Sequence, residues 1–134
     1  MKVIILGAGQ VGASVAEGLV SEENDITVVD YDGQRLTQLQ DRLDLRTVVG
    51  NAATPSVLRA AGAADADMII AVTQSDHANL VACKLAHGVF NVPTRIARLR
   101  SEDFLEEASL LLTDNFAVDY AMCQEQVMTD NSRR

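Results

Sequence analysis

Short apolar runs and stretches of helical spacing alternate along the chain. Val3 to Leu6 is wholly apolar and rich in β-branched residues, the pattern of a buried strand. Ile26 to Val29, Thr47 to Val49, Met68 to Val72 and Thr94 to Leu99 predict four more strands, and Phe116 to Val118 a sixth. Between the runs, apolar residues recur three and four apart. Val11, Val15, Ala16 and Leu19 set a helix from Gln10 to about Val20, and Leu36, Leu39 and Leu43 mark a second. Pro55 opens a short third helix running to about Ala61, with Thr54 as its N-cap and Gly62 as its stop. Ser75 or Asp76 caps a long fourth helix reaching about Val89. Its predicted buried stripe is Ala78, Val81, Ala82, Leu85, Ala86 and Val89. Ser101 begins a fifth helix with an acidic first turn, continuing through about Leu112. Met122 to about Asn131 reads as a final helix of weaker pattern.

Strands that alternate with helices are joined by crossovers, and crossovers build a mostly parallel sheet covered on both faces. Right-handed connections make the expected fold class α/β: a doubly wound, mostly parallel six-stranded Rossmann sheet of order 3-2-1-4-5-6. The 134 residues suit one domain, 1–134, with a proper core. There is no internal repeat, no low-complexity segment and no obvious linker.

The first strand ends at Gly7-Ala8-Gly9-Gln10-Val11-Gly12, which fits G-x-G-x-x-G between a strand and a helix. Gly7 allows the tight turn, Gly9 lets a pyrophosphate approach the backbone, and Gly12 lets the helix pack against the strand. The N–H groups and positive dipole end of that helix then face the phosphates. The alternative is a glycine-rich turn that binds nothing. Against it stands Asp30, ending the second strand eighteen residues after Gly12, near the spacing of a carboxylate that holds adenosine ribose hydroxyls.

Ligands of such sheets lie beyond the carboxyl ends of the strands. Those ends carry Gly7, Asp30, Gly50-Asn51, Thr73, and Arg98 with Arg100. A covered strand should be nearly all apolar, yet the fifth reads RIARLR. Guanidinium groups there can hold a phosphate bidentately, or instead snorkel and pair with nearby carboxylates.

Composition narrows the function. At 48% hydrophobic and 22% charged the chain is an ordinary globular one. A net charge of −8 argues against a nucleic-acid partner and against docking on anionic lipid. No apolar stretch approaches a membrane span and no signal peptide is visible, so the expected location is cytoplasmic. Cys83 sits on a helix's apolar face as a small core residue, and neither it nor Cys123 belongs to a C-x-x-C pair. His77 and His87 lie ten apart on one helix with no partner ligands, so no metal site is expected. There is no G-x-S-x-G elbow, and neither Tyr31 nor Tyr120 has a lysine four residues on. No catalytic residue is assigned; a nucleotide site without chemistry around it suggests sensing.

MKVIILGAGQVGASVAEGLVSEENDITVVD, VVGNAATPSVLRAAGAADADMIIAVTQSDHANLVAC and RIARLRS resemble the TrkA-type branch of the RCK (or KTN) N-terminal domains, which regulate potassium channels and transporters. The likeness persists weakly through DYAMCQEQVMTDN. A generic dehydrogenase shares the glycines but not the G-N-A-A-T and A-V-T-x-S-D-x-A-N-L blocks. The resemblance implies a regulator that binds NAD(H), and in some members ATP or ADP. It implies a membrane-embedded potassium transporter subunit as partner, homo-oligomers assembled into a dimer or tetrameric ring, and a peripheral place on the inner face of the plasma membrane. Carried over by position, Gly7, Ala8, Gly9, Gln10, Val11 and Gly12 line the diphosphate, and Asp30 binds ribose with Tyr31 beside it. Gly50, Asn51 and Ala52 flank the adenine, while Thr73 and Ser75 lie across the cleft and Arg98 and Arg100 face phosphates. Asn51 departs from the pattern, since many members carry aspartate there. The family continues into a crossover helix, a C-terminal lobe and, in the TrkA type, a second tandem copy, so the chain is expected to be the first domain of a longer protein. The rival expectation is a small NAD-dependent oxidoreductase or its cofactor domain.

Overall fold

Val3 and Ile5 point to one face of the first strand, Ile4 and Leu6 to the other, and all four are fully buried. Such a strand requires cover on both sides. The computed structural model describes residues 1–123 and the strand Met128–Asp130. Its strands are β1 (Lys2–Leu6), β2 (Asp25–Asp30), β3 (Arg46–Val49), β4 (Met68–Ala71), β5 (Thr94–Arg98), β6 (Tyr120–Met122) and β7 (Met128–Asp130). Its α-helices are α1 (Gln10–Val20), α2 (Gly33–Arg42), α3 (Pro55–Ala60), α4 (Asp76–Gly88) and α5 (Glu102–Glu106).

The sheet order is β3-β2-β1-β4-β5-β6-β7. The first six strands in that order are parallel, as expected from the sequence, and β7 is antiparallel to β6. Val3, Ile5, Ile26, Val28 and Ile70 pack on one face with Ala16, Leu36 and Leu39 of α1 and α2. Ile4, Leu6, Ile69 and Ala71 pack on the other with Leu58 of α3 and Leu80, Ala82 and Cys83 of α4. Burial of each such large aliphatic side chain contributes about 1.5–3 kcal/mol. No helix among the described residues is long and apolar enough to cross a membrane.

Four readings of the pattern need correction. The sixth strand is Tyr120–Met122, not Phe116 to Val118. Residues 116–118 form a tight return: the N–H groups of Phe116, Ala117 and Val118 bond back to the carbonyls of Leu110, Leu112 and Leu111, and Ala117 has a φ of 58°. The helix expected through Leu112 stops at Glu106 and resumes as a 3-10 turn, Ala108–Leu111. Glu106 and Glu107 place two carboxylates at its carboxyl end, where the dipole disfavours them. The final helix is overturned where it is described, since Met128–Asp130 is a strand; residues 124–127 and 131 lie outside the described residues. The buried stripe of α4 is Asn79, Leu80, Ala82, Cys83 and Ala86, whereas Val81 and Val89 are exposed. A polar residue, Asn79, faces inward there, so apolar spacing alone misplaced the stripe.

Burial pushes the Cys83 thiol up to about 12 from an ordinary 9.0, and its Sγ lies 3.9 Å from the Ile96 carbonyl. At pH 8 iodoacetamide should leave Cys83 unmodified in the folded chain and label it once guanidinium unfolds the protein, as peptide mass spectrometry would show. The folded state holds the thiol proton more tightly than the unfolded one. Stability from this group is therefore full below about pH 9 and lost as pH rises toward about 12.

Candidate functional site

β1, β2 and β4 end level, with Leu6 opposite Val29 on one side and Ala71 on the other. Strand order reverses at β1, so the connections leave in opposite directions and open a crevice at the carboxyl edge. A cavity of about 680 Å³ lies there.

The three glycines of the turn answer to different demands. Gly7 has a φ of 113°, and a Cβ on it would come within 2.9 Å of the Val72 carbonyl oxygen. A Cβ on Gly12 would collide with the Gly7 carbonyl oxygen. Both glycines are therefore required by the fold. Gly9 is not: its φ of −75° and ψ of −165° suit any residue, and beyond its chain neighbours the nearest described atom to a Cβ there is an Arg35 Nη1 at 4.0 Å. Its missing side chain leaves open the wall of the cavity. Gly9 is also the N-cap of α1 and has no side chain with which to cap it, whereas Asp32 caps α2 and Ser75 caps α4. The first-turn N–H groups of α1 are thus offered to an anion in the cavity.

Asp30 is 6% exposed. Its Oδ1 accepts the Ala8 N–H and its Oδ2 the Asp32 N–H, each at 2.9 Å, while its carbonyl oxygen accepts the Gly50 N–H at 2.9 Å. One residue therefore ties together the glycine turn, the start of α2 and the turn after β3. Each carboxylate oxygen retains capacity for a second donor on the cavity side.

The structure brings Gly7, Gly9, Gln10, Val11, Asp30, Tyr31, Gly50, Asn51, Ala52, Thr73, Ser75, Arg98 and Arg100 to the cavity wall. Ala8 and Gly12 lie behind that wall, Ala8 through its bond to Asp30 and Gly12 beneath the turn. Asn51 spends its Oδ1 on the Ala53 N–H at 2.9 Å, shaping its own turn. Arg98 is half-buried and Arg100 exposed; among the described residues neither side chain forms an ion pair. The buried guanidinium of β5 is instead Arg95, bound to Asp119 and to carbonyls away from the cleft.

Sequence reasoning missed Arg35, which lines the cavity beside Gly9 and pairs loosely with Asp32 at 3.7 Å. The available signal was its place in the first turn of α2, five residues after Asp30. Gln74 was missed too, although it lies between Thr73 and Ser75. Among the described residues no group of three His, Cys, Asp or Glu side chains could hold a metal.

Fold and crevice define a Rossmann-type domain. Residues 3–118 match the TrkA-N domain family, and the chain belongs to that family. It is 53% identical over 134 residues to the Trk system potassium uptake protein TrkA of Halomonas elongata, covering 100% of this chain and 29% of that protein. Identity to the protein of the same name in Haemophilus influenzae is 51% over 135 residues, covering 100% and 30%. The chain thus spans about three tenths of the length of these relatives. The TrkA-N domain of the inner membrane protein ybaL from Escherichia coli shares the fold with a TM-score of 0.79, at 20% identity over 92% of this chain and 87% of that one. The GsuK channel bound to NAD gives 0.73 at 20% identity, covering 90% and 21%. The Kef CTD of Shewanella denitrificans in its AMP-bound form gives 0.68 at 24%, covering 83% and 65%.

Proposed function

We propose that the chain is the first nucleotide-sensing domain of a longer regulatory subunit, which controls a membrane-embedded Trk-type potassium transporter from the cytoplasmic face. The cavity takes NAD(H), with ATP or ADP competing for the same adenosine end. The observation that carries this reading is Gly9, a glycine that packing does not demand, placed at the uncapped start of α1. A diphosphate fits that opening, Asp30 lies where a ribose would follow, and Tyr31 and Asn51 flank the same end. Arg98 and Arg100 supply cations on the opposite wall. Ligands bound to GsuK and to the Kef domain support nucleotide occupancy of this fold. The relatives' shared name supports the transporter, and their greater length supports further domains through which rings of subunits would assemble. The cavity's carboxylate, Asp30, is engaged by two backbone N–H groups, which suits a binding role better than proton transfer.

The test is titration with NAD+, NADH, NADP+, ATP and ADP, read as thermal stability. A ligand bound only by the folded state adds about 2.7 kcal/mol at a hundred times its Kd. NAD(H), ATP and ADP should raise the melting temperature, and NADP+ should do so less, because Asp30 repels a 2′-phosphate. No shift with any of them would overturn the reading, and hydride transfer to a substrate panel would replace the regulator with an oxidoreductase.

A further inference from the structure

Arg98 and Arg100 leave the end of β5, but α4 determines where that end lies. Asn79 is fully buried, and its amide makes four hydrogen bonds, all that an amide can make. Its Oδ1 accepts the Thr73 N–H at 3.0 Å and the Thr73 hydroxyl at 2.7 Å. Its Nδ2 donates to the Thr73 carbonyl at 3.1 Å and the Arg98 carbonyl at 2.8 Å. Asp76 stands three residues earlier, on the same side of the helix. Its carboxylate accepts the Arg100 N–H at 2.9 and 3.0 Å and the Ser101 N–H at 2.7 Å. The first turn of α4 thus grips the backbone at Arg98 and again on both sides of the Arg100 Cα, while Leu99 between them is fully buried. Arg100 lines both the main cavity and a second, open one that adjoins it, and Asp76 lines the second.

A carboxylate is an unexpected neighbour for a phosphate contact, because like charges repel. Asp76 directs its oxygens to backbone N–H groups and forms no ion pair among the described residues, so the Arg100 guanidinium remains available. We propose that Asp76 is a positioning residue that fixes the Arg100 backbone so that its guanidinium meets the terminal phosphate of a nucleoside di- or triphosphate. This rests on the reading of Arg98 and Arg100 as phosphate contacts. Asp76 then sets selectivity between ligands that share the adenosine end and differ beyond it.

The experiment is calorimetric titration of ATP, ADP and AMP into wild type, Asp76→Ala, the Arg98→Gln/Arg100→Gln double variant and the triple variant. α4 keeps its Ser75 cap on the Ala78 N–H in every one, and circular dichroism checks the fold. Asp76→Ala should weaken ATP by about tenfold, leave AMP within about twofold, and add nothing further in the arginine double variant. If Asp76 acted only through its charge, its removal would tighten ATP. If it were only structural, AMP and ATP would weaken alike. Either result overturns the inference. Should the double variant lose ATP affinity while Asp76→Ala keeps it, the arginine reading stands and the positioning role alone falls. Should the double variant bind ATP as wild type does, the phosphate reading fails and takes the positioning role with it.

Discussion

Valine in place of Gly9 is expected to abolish nucleotide binding, by about a hundredfold or more, in a chain that still folds. The backbone at Gly9 is extended, and among the described residues no atom beyond its two chain neighbours lies closer than 4.0 Å to the position of a Cβ. The branched side chain therefore enters the cavity, where a diphosphate would approach the start of α1. A hundredfold loss corresponds to about 2.7 kcal/mol, the scale of one or two charge-assisted hydrogen bonds from helix N–H groups. The stability effect is smaller: valine is a poorer N-cap than glycine, by about 1 kcal/mol or less. Gly12→Ala is the contrasting control. Its Cβ runs into the Gly7 carbonyl, so that variant should lose the fold and the ligand together. Calorimetric titration beside a thermal melt separates the cases. A folded Gly9→Val chain with unaltered affinity would remove the glycine turn from the site.

The difference between these glycines shows what a sequence conceals. Their spacing announced the turn, and the strand-helix-strand pattern with Asp30 placed it at a sheet edge. Which glycine serves the fold and which serves a ligand depends on what the folded chain brings against each, such as Val72, 65 residues further on, against Gly7. Strand ends were legible because parallel strands are short apolar runs, and their carboxyl termini must converge. The α4 face was misjudged because Asn79, buried for its four hydrogen bonds, has no place in an apolar stripe, while Val81 faces solvent. Arg35 escaped because one arginine on a polar helix resembles any surface charge; only the crevice distinguishes it. The residues after Leu112 were least legible. Tyr120–Met122 is a three-residue strand whose only fully buried side chain is alanine, and the stronger apolar run before it is a turn.

That last region supplies the second large effect, because Arg95 holds it in place. Arg95→Ala is expected to lower stability by about 3–5 kcal/mol, the scale of breaking a buried charged network by removing one partner. Arg95 is 6% exposed. Its guanidinium Nε donates to the Ala117 carbonyl, its Nη1 to the Val92 carbonyl at 2.6 Å, and its Nη2 to Asp119 at 3.2 Å. Truncation would leave the Ala117 and Val92 carbonyls without that donor, each costing about 1–3 kcal/mol. Asp119 contributes less. It is more than a third exposed, and its Oδ2 keeps the Arg95 backbone N–H at 2.8 Å. Asp119→Asn should therefore lose only about 1 kcal/mol. Ala117 sits at the tight return that delivers the chain to β6, so the damage should appear first as lost protection of the β5–β6 pairing. Arg95 lies toward the amino end of β5, away from the crevice, so nucleotide affinity measured well below the unfolding transition should stay at the wild-type value. Urea unfolding measures the stability loss: with a slope of about 1–3 kcal/mol per molar, the midpoint should fall by at least about 1 M. A shift no larger than that of Asp119→Asn would mean that the carbonyl contacts contribute little, and that apolar packing alone anchors the last strands.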